Sequence, residues 1–216
     1  MTRCIIFCAG EFDGKLEPTL PDDYILAADG GLCYVNQLNL VPNGILGDFD
    51  SLGYIPQDSQ VFPVEKDDTD TMLAIKKGLE LGYDSFLLYA SLDGKRLDHT
   101  VANFQSLKYL ADRGKVGFLL GKDYITTVIS NGFITFSKDC TGIVSAFCLG
   151  ADAQGVTIAG LQYPLQQGNL SAGFPLGVSN HFIGKSGKIS VENGSILILY
   201  DRKNGLPEEV QCSPMN

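Results

Sequence analysis

Along the first half of the chain, short apolar runs alternate with stretches whose apolar residues recur at helical spacing. Residues 4–7, 24–28, 44–46, 86–89 and 116–120 read as strands. Residues 69–81 read as a helix, because Met72, Leu73, Ile75 and Leu79 can share one stripe after the polar start at Thr69 and Asp70, and Gly82 supplies a stop. Residues 98–111 repeat the scheme with Val101, Phe104, Leu107 and Leu110, closed by Gly114. Alternating strands and helices imply a mostly parallel sheet covered on both faces.

After about Lys122 the period changes. Strand-length runs at 124–129, 133–136, 143–149, 156–159, 188–191 and 196–200 are separated by Gly, Asn and Pro, with no room for a ten-residue helix. Asn131-Gly132 and Asn193-Gly194 suit two-residue hairpin turns. The expected architecture is therefore α/β, with an N-terminal mostly parallel sheet domain over residues 1–122 and a C-terminal all-β sandwich or barrel over 123–216. Residues 206–216, with Pro207, Glu208 and Glu209, read as a loose surface tail.

Composition narrows the function. The 216 residues carry a formal charge of −9, which argues against a nucleic-acid partner, since phosphate backbones demand a basic face. Residues 1–122 hold 18 acidic against 11 basic side chains, and the remainder 7 against 5. An acidic surplus gathered in one half suits a bound cation. No run approaches the ~18 apolar residues of a membrane span or forms a secretory leader, so the chain reads as cytoplasmic with no membrane partner. Six scattered cysteines without a CxxC pair and only two histidines disfavour zinc and suit reduced, buried thiols.

The acids cluster where a parallel sheet puts its chemistry, beyond the carboxyl ends of the strands. Asp29-Gly30-Gly31 follows the second expected strand. Gly47-Asp48-Phe49-Asp50-Ser51 follows the third, and in extended chain Asp48 and Asp50 would point the same way, with Phe49 turned inward. Lys66-Asp67-Asp68-Thr69-Asp70 leads into a helix. Capping explains one or two of its acids, but three carboxylates within four residues repel one another unless a cation intervenes. Ser91-Leu92-Asp93-Gly94-Lys95-Arg96-Leu97-Asp98-His99 follows another strand; Arg96 can fork onto phosphate, Asp98 can stand near a transfer site, and Asn103 lies one turn beyond His99. Hard carboxylate oxygens suit magnesium. Residues 9–16, AGEFDGKL, are excluded as a P-loop, having three rather than four intervening residues and Leu16 in place of Ser or Thr.

Taken in order, Asp29-Gly30-Gly31, Gly47-Asp48-Phe49-Asp50-Ser51, Lys66-Asp67-Asp68-Thr69-Asp70 and Arg96-Leu97-Asp98-His99, with Ser179-Asn180-His181-Phe182 further on, resemble the thiamine pyrophosphokinase family. The resemblance spans nearly the whole chain. It implies magnesium-dependent transfer of a pyrophosphoryl group from ATP to the thiamine hydroxyl, giving thiamine diphosphate and AMP, in a homodimer with active sites at the interface. It also implies roles: Asp48, Asp50 and Asp70 as the metal shell with Asp29 and Asp67 nearby; Lys66 and Arg96 on the triphosphate; and Asp98 beside the thiamine hydroxyl. Gly30, Thr69, His99 and Asn103 would complete the nucleotide set, and Ser179 and Asn180 would meet the pyrimidine ring. Ser91 and Lys95 stand where the family usually has Gly, and His181 where it often has an acid. The rival readings are a pyrophosphokinase for another heterocyclic alcohol such as a pterin, and a non-catalytic thiamine- or nucleotide-binding module.

Overall fold

In the computed structural model, which describes residues 2–215, the apolar runs of the first half pair as a parallel sheet. Its strands are β1 (Arg3–Phe7), β2 (Tyr24–Ala28), β3 (Gly44–Gly47), β4 (Gln60–Val61) and β5 (Ser85–Tyr89), in the order β5-β1-β2-β3-β4. Every pairing among them is parallel. All five positions of β5 are buried, as expected for a strand covered on both faces. The connections carry α1 (Leu32–Gln37), α2 (Asp70–Glu80) and α3 (Leu97–Ala111), and β6 (Val116–Leu120) follows α3.

Helix α2 starts where its cap dictates: Thr69 is extended, and its hydroxyl accepts the Met72 amide at 3.1 Å. Its buried face differs from the expected stripe. Ala74, Ile75 and Gly78 are the buried residues, while Met72, Leu73 and Leu79 are half-buried. The small side chains are what the packing requires, since a Cβ on Gly78 would lie 2.5 Å from the Phe86 ring of β5. A mid-helix glycine costs about 1 kcal/mol in propensity, offset by the closer approach of helix to sheet. In α3, Leu107 and Leu110 are buried as expected, whereas Val101 is half exposed.

An ion pair ties the start of β1 to the chain before β2. Arg3 Nε donates to Asp23 Oδ1 at 2.8 Å, Nη2 to Asp23 Oδ2 and to the Pro18 carbonyl, and Asp23 Oδ2 also accepts the Leu20 amide. Burial raises the Asp23 pKa, but these donors outweigh it and hold the carboxyl below its usual value. A depressed folded-state pKa contributes stability above the unfolded value near 4, lost as pH falls through the lower folded value. Asp23→Asn should therefore lower the Tm at pH 7 by about 2–6 °C, an order-of-magnitude figure for a charged hydrogen bond in a protein of this size. Thermal melts across pH should show the deficit narrowing below about pH 3.5.

The second half holds only strands and a short 3-10 turn after α3 and β6, as its period change implies. β7 (Tyr124–Ser130), β9 (Ile143–Cys148), β12 (Asn180–His181) and β14 (Ser195–Asp201) pair antiparallel in the order β12-β9-β14-β7. β8 (Phe133–Phe136), β10 (Ala153–Ala159), β11 (Leu165–Leu170), β13 (Gly187–Ser190) and β15 (Glu209–Gln211) form a second antiparallel sheet, β11-β10-β13-β8-β15. Phe136 of β8 meets Phe182 and Tyr200 edge-on at centroid distances of 5.1 and 5.0 Å. The fold is thus a parallel α/β half followed by an antiparallel β half.

Two expectations are corrected here. Asn131-Gly132 and Asn193-Gly194 are not hairpin turns: each passes the chain from one sheet to the other, β7 to β8 and β13 to β14. The positive φ anticipated for such turns is present at Asn131 (44°) and Gly194 (116°), and the two corners bond each other through Asn131 Oδ1 and the Gly194 amide at 3.0 Å. Nor is the C-terminal segment loose. Residues 209–211 form β15 on β8, Cys212 is buried, and the Ser213 and Met215 amides donate to the carbonyls of Ser130 and Asp112.

The chain divides into two compact units, the first running to Asn103 with Leu119–Lys122 and the second holding Phe104–Phe118 and everything from Asp123 onward. Among the described residues, no helix is long and apolar enough to cross a membrane.

Candidate functional site

The carboxyl ends of β1, β2, β3 and β5 open onto a cleft of about 860 Å³. It lies wholly within the first unit. The backbone departs from ordinary geometry where three of these strands end: Asp29 after β2 (φ 48°), Phe49 after β3 (59°) and Ala90 after β5 (54°) occupy the left-handed region without being glycine. Each such residue costs on the order of 1 kcal/mol, least for an aspartate, and three of them gather at one rim, which singles out this end of the sheet as the candidate site.

These turns aim the acids. Asp29, Asp48 and Asp50 each bring one carboxylate oxygen within 4.8 Å of the others. The expected convergence of Asp48 and Asp50 is met by a different route. Phe49 is buried as anticipated, yet the segment is a left-handed turn rather than extended chain, with the Asp50 amide donating to Asp48 Oδ1 at 3.3 Å.

Asp29 is 7% exposed; its Oδ2 accepts the Ser51 hydroxyl, and its Oδ1 is buried without a hydrogen-bond partner among the described residues. An ionised oxygen so placed is costly unless a cation meets it. Magnesium takes six oxygens at about 2.1 Å, which puts neighbouring ligand atoms roughly 3 Å and opposite ones roughly 4.2 Å apart. The three oxygens lie within 4.8 Å of one another, close to that range, and as hard carboxylate donors with one unpartnered buried oxygen they suit such an ion.

The resemblance places Asp48, Asp50 and Asp70 in the metal shell with Asp29 nearby; the close group instead holds Asp29 with Asp48 and Asp50, and Asp70 is not in it. Asp70 also lines the cleft, but its carboxylate is drawn to Lys66, whose Nζ stands 3.1 Å from Asp70 Oδ1 and 2.6 Å from Asp48 Oδ2. Burial pushes the Asp70 pKa up against the pull of Lys66, whereas the Lys66 hydrogen bond takes the Asp48 pKa down. Lys66 itself is raised: its two carboxylate partners outweigh the effect of burial. Asp67 is exposed, and Asp68 pairs with Lys76.

Arg96, Lys95, His99 and Asn103 also line the cleft. Arg96 is forked onto Asp98, Nε to Oδ1 at 2.9 Å and Nη2 to Oδ2 at 2.6 Å, and this partner holds the exposed Asp98 carboxyl down at about 2. Asn103 is buried and donates to the Ser91 carbonyl at 2.6 Å, so its amide shapes the loop that carries Arg96. Lys66, Asp67, Gly30 and Asp98 are not among the lining residues.

The cleft also takes in residues to which the sequence motifs assign no role: Cys8 to Glu11, Tyr34, and Asp93 within the stretch from Ser91 to His99. Their signal was positional, because residues 8–11 follow β1 as the acidic loops follow their own strands. The loops after β1 and β5 are stapled together by Gly10 N to Ala90 O (2.9 Å) and Glu11 N to Asp93 O (3.1 Å), while Tyr34 donates its hydroxyl to the Gly10 carbonyl at 2.6 Å. A Cβ on Gly10 would stand 2.5 Å from Ala90 O and 2.7 Å from Asp93 O, so this position tolerates no side chain.

Ser179 and Asn180 lie in the second unit. Ser179 is exposed with φ 57°, and its amide donates to Ser145 Oγ. Asn180 is buried and tied to the backbone: Nδ2 donates to the Tyr163 carbonyl (2.8 Å), and Oδ1 accepts the amides of Tyr163 (3.0 Å) and His181 (2.8 Å).

Comparison with known proteins places the chain in a family. Residues 20–117 match the family model for the thiamin pyrophosphokinase catalytic domain, and residues 129–196 that for the thiamin pyrophosphokinase vitamin B1 binding domain. A thiamine pyrophosphokinase of Bacillus subtilis is 24% identical over 185 residues, covering 81% of this chain and 85% of its own. A crystal structure of thiamine pyrophosphokinase from Bacillus subtilis superposes with a TM-score of 0.78 at 23% identity, covering 93% of this chain and 99% of that one. The thiamin pyrophosphokinase of Geobacillus thermodenitrificans gives 0.75 at 25% identity over 100% and 99% of the two chains. That of Candida albicans gives 0.65 at 16% over 98% and 89%. With both family models matched in order along most of its length, the chain belongs to the thiamin pyrophosphokinase family.

Proposed function

We propose that this chain transfers the pyrophosphoryl group of ATP to the hydroxyl of thiamine, releasing thiamine diphosphate and AMP, and that it does so with Mg2+ in a homodimer. The observation that carries the reading is the group Asp29, Asp48 and Asp50, with its unpartnered buried oxygen, at the carboxyl rim of a parallel sheet. An acidic cleft admits a metal–nucleotide complex although it would repel the bare nucleotide. When bound, Mg2+ would offset the charge on the triphosphate and on the departing AMP.

In the reaction the thiamine oxygen bonds to the β-phosphorus, and the bond from that phosphorus to the oxygen of the α-phosphate breaks. Little covalent work falls to the protein; positioning and charge dispersal dominate. Arg96 and Lys95, which line the same cleft as the acids, supply donors for phosphate oxygens. Asp98, held ionised by Arg96, accepts a hydrogen bond from the thiamine hydroxyl and orients it. Asp70 and Lys66 steady Asp48. Thiamine recognition falls to the region of Ser179 in the second unit. Around it Phe174, Leu176, Val178 and Ile183 are 66, 59, 52 and 45% exposed, an apolar surface suited to a second copy of the chain.

The decisive test incubates purified protein with ATP, Mg2+ and thiamine and resolves the products. Equal amounts of AMP and thiamine diphosphate are expected; ADP with thiamine monophosphate would contradict the two-phosphate transfer. Within this reading, Gly10→Ala should raise the KM for ATP by about tenfold, because the loop bearing Arg96 must shift by a good fraction of an ångström to clear the new methyl group. Steady-state kinetics with ATP varied at saturating thiamine checks it, and an unchanged ATP KM would separate the Gly10 staple from nucleotide binding.

A further inference from the structure

Asp48 is claimed from two sides. On one it belongs with Asp29 and Asp50 to the set that fits a divalent cation; on the other its Oδ2 is bound by the Lys66 ammonium at 2.6 Å. The same ammonium reaches Asp70 Oδ1 at 3.1 Å. The three side chains of this bridge are well shielded, at 12% exposure for Lys66, 10% for Asp48 and 22% for Asp70, so their interaction is screened far less than that of a surface pair.

Two consequences follow from charge alone. In the metal-free chain, four carboxylates at one rim would repel one another, and a single internal cation placed between two of them relieves part of that repulsion. A metal ion that takes Asp48 must then share its carboxylate with an existing positive charge, which weakens both contacts. Lysine suits this role, being a point charge on a flexible stem that can turn to a new anionic partner without losing its charge.

We propose that Lys66 is a tethered counter-ion of the candidate metal site: it holds the carboxylates together when no metal is bound and lowers their affinity for a bare divalent cation. The site thereby favours a cation that arrives with phosphate, because phosphate oxygens give the lysine a replacement partner and the ion additional ligands. The inference rests on the reading of Asp29, Asp48 and Asp50 as the cation set, but needs neither ATP turnover nor thiamine to be tested.

The experiment is calorimetric titration of the purified full chain with MgCl2 and with MnCl2, without nucleotide, alongside the thermal shift each ion produces. Lys66→Gln should bind either ion at least fivefold more tightly than the unaltered protein, and its Tm should be lower without metal and recover more on adding it. Lys66→Arg, which keeps the charge, should stay within twofold of the unaltered protein. Lys76→Gln, which removes a nearby lysine paired with Asp68 outside the set, should do the same. Equal or weaker binding by Lys66→Gln overturns the proposal, as does the absence of binding by every variant at millimolar ion. If Lys66→Gln is unfolded without metal, refolding on adding Mg2+ supports the proposal and failure to refold overturns it. Asp50→Asn keeps two failures apart. Loss of binding in that variant with no gain in Lys66→Gln rejects the counter-ion alone, whereas unchanged binding in both rejects the cation set itself.

Discussion

Asp50→Asn should cut turnover by at least a hundredfold, and by up to about a thousandfold, while moving the Tm by no more than a few degrees. The magnitude is that of weakening the cation that would disperse transition-state charge, since the carboxylate acts only by holding that ion. The small stability change follows from placement: Asp50 is exposed at the tip of a turn whose core contact is made by Phe49, 3% exposed. Asparagine keeps the size and one oxygen but removes the charge that would hold a divalent ion beside Asp29 and Asp48. The measurement pairs steady-state kinetics over a range of Mg2+ with a melt of the same preparation. Partial recovery of rate at high Mg2+ would fit a weakened ion site. Full activity with a collapsed Tm would make the acid a structural turn residue and dismantle the assignment.

Much of this site was legible because the physics that builds it is periodic. The central parallel strands of the first half are largely buried, so their apolar runs stand out in the sequence, and the rule that ligands meet the carboxyl ends of such strands points to the loops of Asp29, Asp48, Asp50, Asp70 and Arg96. What escaped is held by backbone rather than by apolar side chains. β4 has both residues exposed, β11 reads Leu-Gln-Gln-Gly-Asn-Leu with only Leu170 buried, and β15 has no buried residue. Each is an edge strand, fixed by hydrogen bonds to a neighbour, and leaves no alternation to read. The Asn-Gly corners expose a related limit: a turn dipeptide dictates local φ, not which sheet the next strand joins. The Gly10 staple and the bridging position of Lys66 depend on distances between loops far apart in sequence, and local pattern does not carry these.

The same distinction governs the second large effect, at Asn180. The resemblance assigns this residue to the pyrimidine ring, but its amide already makes three backbone hydrogen bonds, two to Tyr163 and one to His181. Asn180→Ala removes the partner of two backbone donors and one backbone acceptor that are part-shielded from water, a cost of about 1–3 kcal/mol. For a chain of this length that corresponds to a Tm lower by roughly 3–9 °C. The pairing fixes the turn before β11 against β12 and so places Ser179, whose side chain is exposed beside it with a left-handed backbone. Ser179→Ala, by contrast, should keep the Tm within a degree or two and raise the KM for thiamine severalfold with the KM for ATP unchanged. Melting curves and two-substrate kinetics on both variants divide the roles. If Asn180→Ala melts like the unaltered chain and loses only thiamine affinity, the amide meets the ring directly and its three backbone bonds are dispensable. If it melts early and Ser179→Ala alone shifts the thiamine KM, Asn180 acts by holding the segment that does the recognition.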